Sequence, residues 1–224
     1  MSDGLRGPII VTDPHSPYAG QYTDELVVTI ADWYHDEAPT LIPNFLSRDG
    51  NPAGAEPVPH SSLINEAQNV KLAVEPDTTY LVHIISMTSF SQTYVHFDQH
   101  DLTIIAIDGI YVEPIKVSTV YAVSAQRFDV LLTTKNNTDK NYAFVSNLDP
   151  TKFSSRPGFL QANTTGYLVY DDSAPLPDPP LLDRYDVIDD FNLVPKDGEP
   201  LLSGPPDTSI VLNLDFFQRD GQNR

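Results

Sequence analysis

The apolar positions of this chain fall in short runs, β-branched and aromatic in character, with no long stretch in the 3.6-residue rhythm of an amphipathic helix. Segments such as TYLVHIIS (79–86) and RFDVLLTT (127–134) fit a pleated, half-buried surface. The pattern predicts strands at Gly7–Val11, Asp24–Ile30, Val70–Glu75, Thr79–Ser86, Thr93–Phe97, Leu102–Asp108, Thr119–Val123, Arg127–Thr134, Tyr142–Asn147, Gly166–Tyr170 and Thr208–Leu214. Pro, Gly, Asn and Asp punctuate them, and no helical segment long enough for βαβ units lies between. The expectation is an all-β Greek-key β-sandwich or barrel.

Two stretches break the rhythm. Trp33–Ser47 reads as one or two short helical turns interrupted by Pro39 and Pro43, and Arg48–Pro59 as a Gly/Pro loop. After Tyr170 the composition shifts to DDSAPLPDPP (171–180), an extended acidic linker, followed by coil to Pro206. The expected organisation is a remnant of a preceding domain at 1–21, one complete β-domain at 22–172, a linker at 173–206, and the first strand of a further domain at 207–224.

Charge and composition narrow the chemistry. Thirteen Lys and Arg against 31 Asp and Glu give a net charge of −18, which argues against nucleic acid or an anionic membrane surface as a partner. No run of about 18 apolar residues exists to span a membrane, and the first seven residues lack the apolar core of a signal peptide. The absence of cysteine excludes disulfides, zinc–thiolate sites, Fe–S clusters and any copper centre that needs a thiolate.

The order of several segments carries a resemblance. DGLRGPIIV (3–11), DELVVTIADWYHDEA (24–38), GAEPVPHSSLINE (54–66), VEPDTTYLVHII (74–85), HDLTIIAIDG (100–109), AQRFDVLLTTKNNTDKNYAF (125–144) and GYLVYD (166–171) resemble the middle domain of the three-domain fungal multicopper oxidases, closest to the ferroxidase, or iron-transport, branch. The segment IDDFNLVP (188–195) is similar to that family's lead into its third domain. The resemblance implies a cupredoxin-like (plastocyanin-like) fold. It also implies copper in the intact family, Fe(II) or phenol oxidation coupled to O2 reduction, a secreted or cell-surface location, and first and third cupredoxin domains as partners. The family's coppers are held by His-x-His motifs and by a Cys flanked by histidines; this chain has neither motif, so it is expected to bind no copper tightly and to oxidise nothing alone. The rival expectation is a stand-alone, non-enzymatic binding or scaffolding sandwich whose acidic loops engage a basic partner.

Glu56 is the candidate site residue. It lies in Gly54-Ala55-Glu56-Pro57, where Pro57 restricts its backbone to extended conformations. In the ferroxidases this loop resembles, the corresponding glutamate helps bind Fe(II). The family's second middle-domain iron carboxylate aligns near Ser154, a much weaker ligand, with Asp149 close but displaced.

The other titratable residues read as structural. His96 and His100 form His-x-x-x-His, but on a strand four residues span about 13 Å, too far for one metal ion. His35, Asp36 and Glu37 are adjacent and diverge, as in a helix start. His15, His60 and His83 are isolated, Trp33 is a packing residue, and Asp101, Asp108 and Asp129 lie at strand ends, Asp108-Gly109 being a hairpin signal. Asp171-Asp172 and Asp189-Asp190 read as solvated acidic loops. Asn136 and Asn163 open N-glycosylation sequons expected in loops.

Overall fold

The structure, a computed structural model, describes residues 2–136, 139–198, 205–214, 218–219 and 222–223. Its strands are β1 (Asp24–Trp33), β2 (Ser61–Ile64), β3 (Val70–Ala73), β4 (Thr79–Ser86), β5 (Thr93–Phe97), β6 (Leu102–Ile107), β7 (Ile110–Val117), β8 (Thr119–Ala122), β9 (Arg127–Thr133), β10 (Tyr142–Leu148) and β11 (Asn163–Val169). A short hairpin pairs β12 (Gln218–Arg219) with β13 (Gln222–Asn223). One helix, α1 (Ala38–Phe45), interrupts the β pattern.

Two sheets form the sandwich. One runs β2-β1-β4-β9-β6-β7 and the other β3-β11-β10-β5-β8, with β1–β4 and β3–β11 parallel and the other pairs antiparallel. Alternate residues of each strand point inward. Val82, Ile84, Phe97, Ile104, Phe128, Val130 and Phe144 meet in one buried core, with Phe97 and Phe144 stacked at 4.6 Å. Asp108-Gly109 is the two-residue turn between β6 and β7, both residues at positive φ, as that turn requires.

Four readings of the chain change. β7 contains Glu113, Pro114 and Lys116, which mask its alternation; it is an edge strand, where proline costs no ladder bond within the sheet. β2 is four residues long and half serine. Gly7–Val11 and Thr208–Leu214, read as strands, are coil: Leu5, Ile9, Val11 and Ile210–Leu212 are largely exposed and pair with no strand among the described residues. Asp129 lies inside β9, not at a strand end.

The segment after the sandwich is a docked strap. Tyr185 stacks on Tyr94 at 4.8 Å, and Ile188 and Leu193 pack against the core. Glu113 N–H donates to Val194 O at 2.8 Å, and Lys196 N–H donates to Tyr111 O at 2.9 Å, so 194–196 pairs with β7. At the other end of the chain, Tyr18 is buried against Leu81 and Ile105 and donates its hydroxyl to Val112 O.

His83 on β4 has its Nδ1 2.7 Å from Asp129 Oδ1 and its Nε2 3.5 Å from Glu25 Oε2. The bond to Asp129 holds the imidazole above its ordinary range, against the opposing effect of burial. A raised pKa means that His83 contributes stability in full below about pH 6.5 and loses it as pH rises through the folded value. His100 has the opposite sign. It is buried against Tyr142 and 3.1 Å from Tyr170 Oη, and burial depresses its pKa, so its contribution is present above about pH 6.5 and lost as pH falls. His83→Gln is therefore expected to lose about 1 kcal/mol or less at pH 5 and almost nothing at pH 9. Urea unfolding at the two pH values checks this, and an equal loss at both would refute the charged pair.

Candidate functional site

The Gly/Pro loop leaves α1 and returns to the sandwich at β2. Asn51, Gly54 and Ala55 form its turn, Gly54 at φ +65°. Glu56 follows, exposed, and has no hydrogen-bond or ion-pair partner among the described residues. The loop packs against the exit of β1. Tyr34 Oη donates to Pro57 O at 3.3 Å, and His60 N–H donates to Trp33 O at 2.8 Å. Between them lies a cavity of about 270 Å³ whose walls include Tyr34, Leu41, Phe45, Pro57 and Phe90, with Glu56 and Asp36 contributing carboxylates. Burial, with Asp32 nearby, pushes the Tyr34 phenol upward, so it stays a neutral hydrogen-bond donor.

The far wall is held by Asp32. This residue is fully buried on β1, and its carboxylate accepts from the backbone N–H groups of Ser89, Phe90 and Ser91 at 2.9, 3.0 and 3.1 Å. On the near side, Asp3 Oδ1 accepts from Ala38 N–H at 2.8 Å, satisfying one free amide at the start of α1.

Asp149 is not available to a ligand. It is 3% exposed, and both oxygens are engaged: Oδ1 accepts from Thr151 N–H (2.9 Å) and Oγ1 (2.6 Å), Oδ2 from the hydroxyls of Tyr94 (3.1 Å) and Tyr121 (2.9 Å). Burial pushes its carboxyl upward, but these bonds outweigh it and hold the group below the ordinary carboxylate range. Ser154 is exposed. Thus, among the described residues, Glu56 has an unpaired carboxylate, whereas Asp149 is the buried acceptor of a tyrosine cluster.

The histidines are dispersed. His96 on β5 donates from its Nδ1 to Ser118 O (2.9 Å), while His100 turns inward against Tyr170. His35 and His60, which sequence reasoning kept apart, stack at 3.9 Å, and His60 stacks on Phe159 at 4.5 Å. His15 is exposed. Trp33 ends β1, partly exposed, as a rim residue. Glu37 stands at the N-cap position of α1 without a side-chain capping bond, Asp101 is exposed, and Asp171 and Asp189 accept from the backbone two residues on. Asn136 is exposed, with residues 137–138 outside the described set; Asn163 opens β11 opposite Asn147 and is half-buried, so it is not a loop residue.

Two face-packed sheets of this order, with a short helix and the Glu56 loop at one end, define a cupredoxin-like β-sandwich. The signature of the family described as multicopper oxidase matches residues 24–173, and the chain belongs to that family. It is 44% identical over 222 residues to the iron transport multicopper oxidase FET3 of Gibberella zeae, covering 99% of this chain and 35% of that protein. Against the iron transport multicopper oxidase FET3 of Saccharomyces cerevisiae it is 38% identical over 213 residues, 95% of this chain and 33% of the relative. The crystal structure of Fet3p, a multicopper oxidase that functions in iron import, superposes with a TM-score of 0.90 at 38% identity over 96% of this chain and 40% of that one. A laccase from Botrytis aclada shares the fold, with a TM-score of 0.59 at 24% identity over 70% of this chain and 31% of its own. The chain spans about a third of the length of these curated relatives.

Membership implies copper in the intact protein. The donors present here do not fit it. There is no cysteine to supply a thiolate; His83, His96 and His100 engage strand and core partners, His35 and His60 stack face to face and His15 is exposed, an arrangement that does not converge ring nitrogens on one point. Among the described residues no group of three or more His, Cys, Asp or Glu is placed to hold a metal ion.

Proposed function

We propose that this chain is the middle cupredoxin-like domain of a ferroxidase-type multicopper oxidase, and that its contribution to the reaction is the carboxylate of Glu56, offered to Fe(II) as substrate. Copper and the remaining iron ligands belong to first and third domains outside these 224 residues, so the chain alone oxidises nothing. The observation that carries the reading is Glu56 itself: an exposed carboxylate without a partner among the described residues, on a loop pinned from both sides, lining a cavity. A carboxylate is a hard oxygen donor, favours Fe(III) over Fe(II), and so assists electron loss from the bound ion. Ser154 supplies no second carboxylate at the position where the family resemblance would put one, which makes Glu56 the larger share of this domain's contact with iron. The setting is a secreted or cell-surface oxidase.

The test is a full-length chimera in which this chain replaces the matching third of the Gibberella zeae relative. Glu56→Ala is expected to raise the KM for Fe(II) about tenfold, the loss of one ligand of a weakly held ion. If Glu56→Ala leaves Fe(II) kinetics unchanged and alters the KM for a phenol instead, the iron reading falls and a laccase-like one replaces it.

A further inference from the structure

The loop that carries Glu56 has no helix or strand between residues 48 and 59, so its shape depends on side-chain bonds. Asn51 supplies three of them. Its Oδ1 accepts from Ala55 N–H at 3.0 Å, and its Nδ2 donates to Ala55 O at 2.8 Å and to Phe45 O at 3.0 Å. The amide orientation follows from these partners, since a flipped amide would set oxygen against carbonyls and NH2 against an N–H. The Asn51 backbone is fixed as well: its N–H donates to Ser47 O at 2.9 Å, and its carbonyl accepts from Gly54 N–H at 3.0 Å. The side chain therefore binds both polar groups of Ala55, the residue before Glu56, and ties them to the end of α1. On the other side of Glu56, Pro57 has restricted φ and its carbonyl accepts from Tyr34.

We propose that Asn51 is a positioning residue for Glu56, acting on Fe(II) only through the clamp it places on Ala55. This rests on the reading of Glu56 as an iron ligand. The role needs an amide: Ala55 presents one donor and one acceptor side by side, and only a side chain with both, at that reach, matches them. Aspartate keeps the acceptor for Ala55 N–H but sets a second oxygen against the carbonyls of Ala55 and Phe45. Alanine leaves all three groups to water and frees the turn. In either case the Glu56 carboxylate is no longer held at one place, and displacement by about 1 Å is enough to cost up to about 100-fold in a positioned reaction.

The experiment uses the same full-length chimera with Asn51→Ala, Asn51→Asp, Glu56→Ala and the double variant Asn51→Ala/Glu56→Ala. The thiolate–copper absorption near 600 nm, supplied by the flanking domains, reports that each variant is folded and loaded with copper. Both Asn51 variants are expected to raise the KM for Fe(II) about fivefold to tenfold with that absorption intact. The double variant is expected to match Glu56→Ala alone, because a clamp with nothing to position has no further effect. A normal KM in the Asn51 variants beside a raised one in Glu56→Ala overturns the proposal. So does a double variant in which the two losses multiply, which is the signature of general loop damage. An unchanged KM in Glu56→Ala overturns the iron reading, and the proposal with it.

Discussion

Asp32→Ala is expected to lower the melting temperature of the chain by about 10 °C, the equivalent of about 3–5 kcal/mol in a domain of this size. The three amides of Ser89, Phe90 and Ser91 point at one fully buried carboxylate. Alanine removes the acceptor of all three at once: a hydrogen bond to a charged group is worth about 1.5–3 kcal/mol, and at the fully buried Ser91 the N–H is left unpartnered. The damage reaches the site, because Ser89 and Phe90 line the cavity beside Glu56 and Ser89 also meets Ser2 Oγ at 2.8 Å. Calorimetry reads the shift, and a change under about 2 °C would mean the loop does not depend on this carboxylate.

The second large effect is steric. Gly166 on β11 pairs directly with Phe144 on β10, and the Phe144 ring lies across it. A Cβ at Gly166 would stand 2.3 Å from Phe144 Cζ and 2.6 Å from its Cε1, far inside van der Waals contact. The ring has nowhere to go, being fully buried and stacked on Phe97 at 4.6 Å. Gly166→Ala is expected to cost about 3 kcal/mol, and Gly166→Ala/Phe144→Leu to recover part of that loss by removing the ring. Urea midpoints of the single and double variants decide it; no recovery in the double would place the conflict in the backbone instead.

Where alternation and branching agreed, the chain announced its own structure. Thr79–Ser86 and Thr93–Phe97 are strands to the residue, and Asp108-Gly109 is the turn that its composition implies. β7 was hidden because an edge strand tolerates Pro114 and faces charges to water on the side away from the core. Gly7–Val11 and Thr208–Leu214 mislead for the converse reason: β-branched content gives a segment the capacity to pair, and among the described residues no strand lies beside them to pair with. At the site, Glu56 stood out through the family resemblance of its loop. Asp32 did not, because the strand reading stopped at Ile30, two residues short of it, and nothing in DWYHDEA marks which acid turns inward. Asn51 was invisible, since clamping a backbone across four residues leaves no periodicity. Asp149 reads from the sequence only as an acid displaced from the family's ligand position: its tyrosine partners come from strands about 30 and 55 residues away, a proximity only topology creates.

The strap bears on assembly. β7 is an outer strand of its sheet, and an outer strand with free N–H and C=O groups is a template for pairing with another molecule. Here the N–H of Glu113 and the carbonyl of Tyr111 are already bonded to Val194 and Lys196, and Pro114 contributes no donor. The chain thus occupies this seam itself. Tyr185, stacked on Tyr94 of the other sheet, and Lys196, 3.4 Å from Glu113, tether the strap, so a second copy would have to peel away a tethered competitor before adding a strand there.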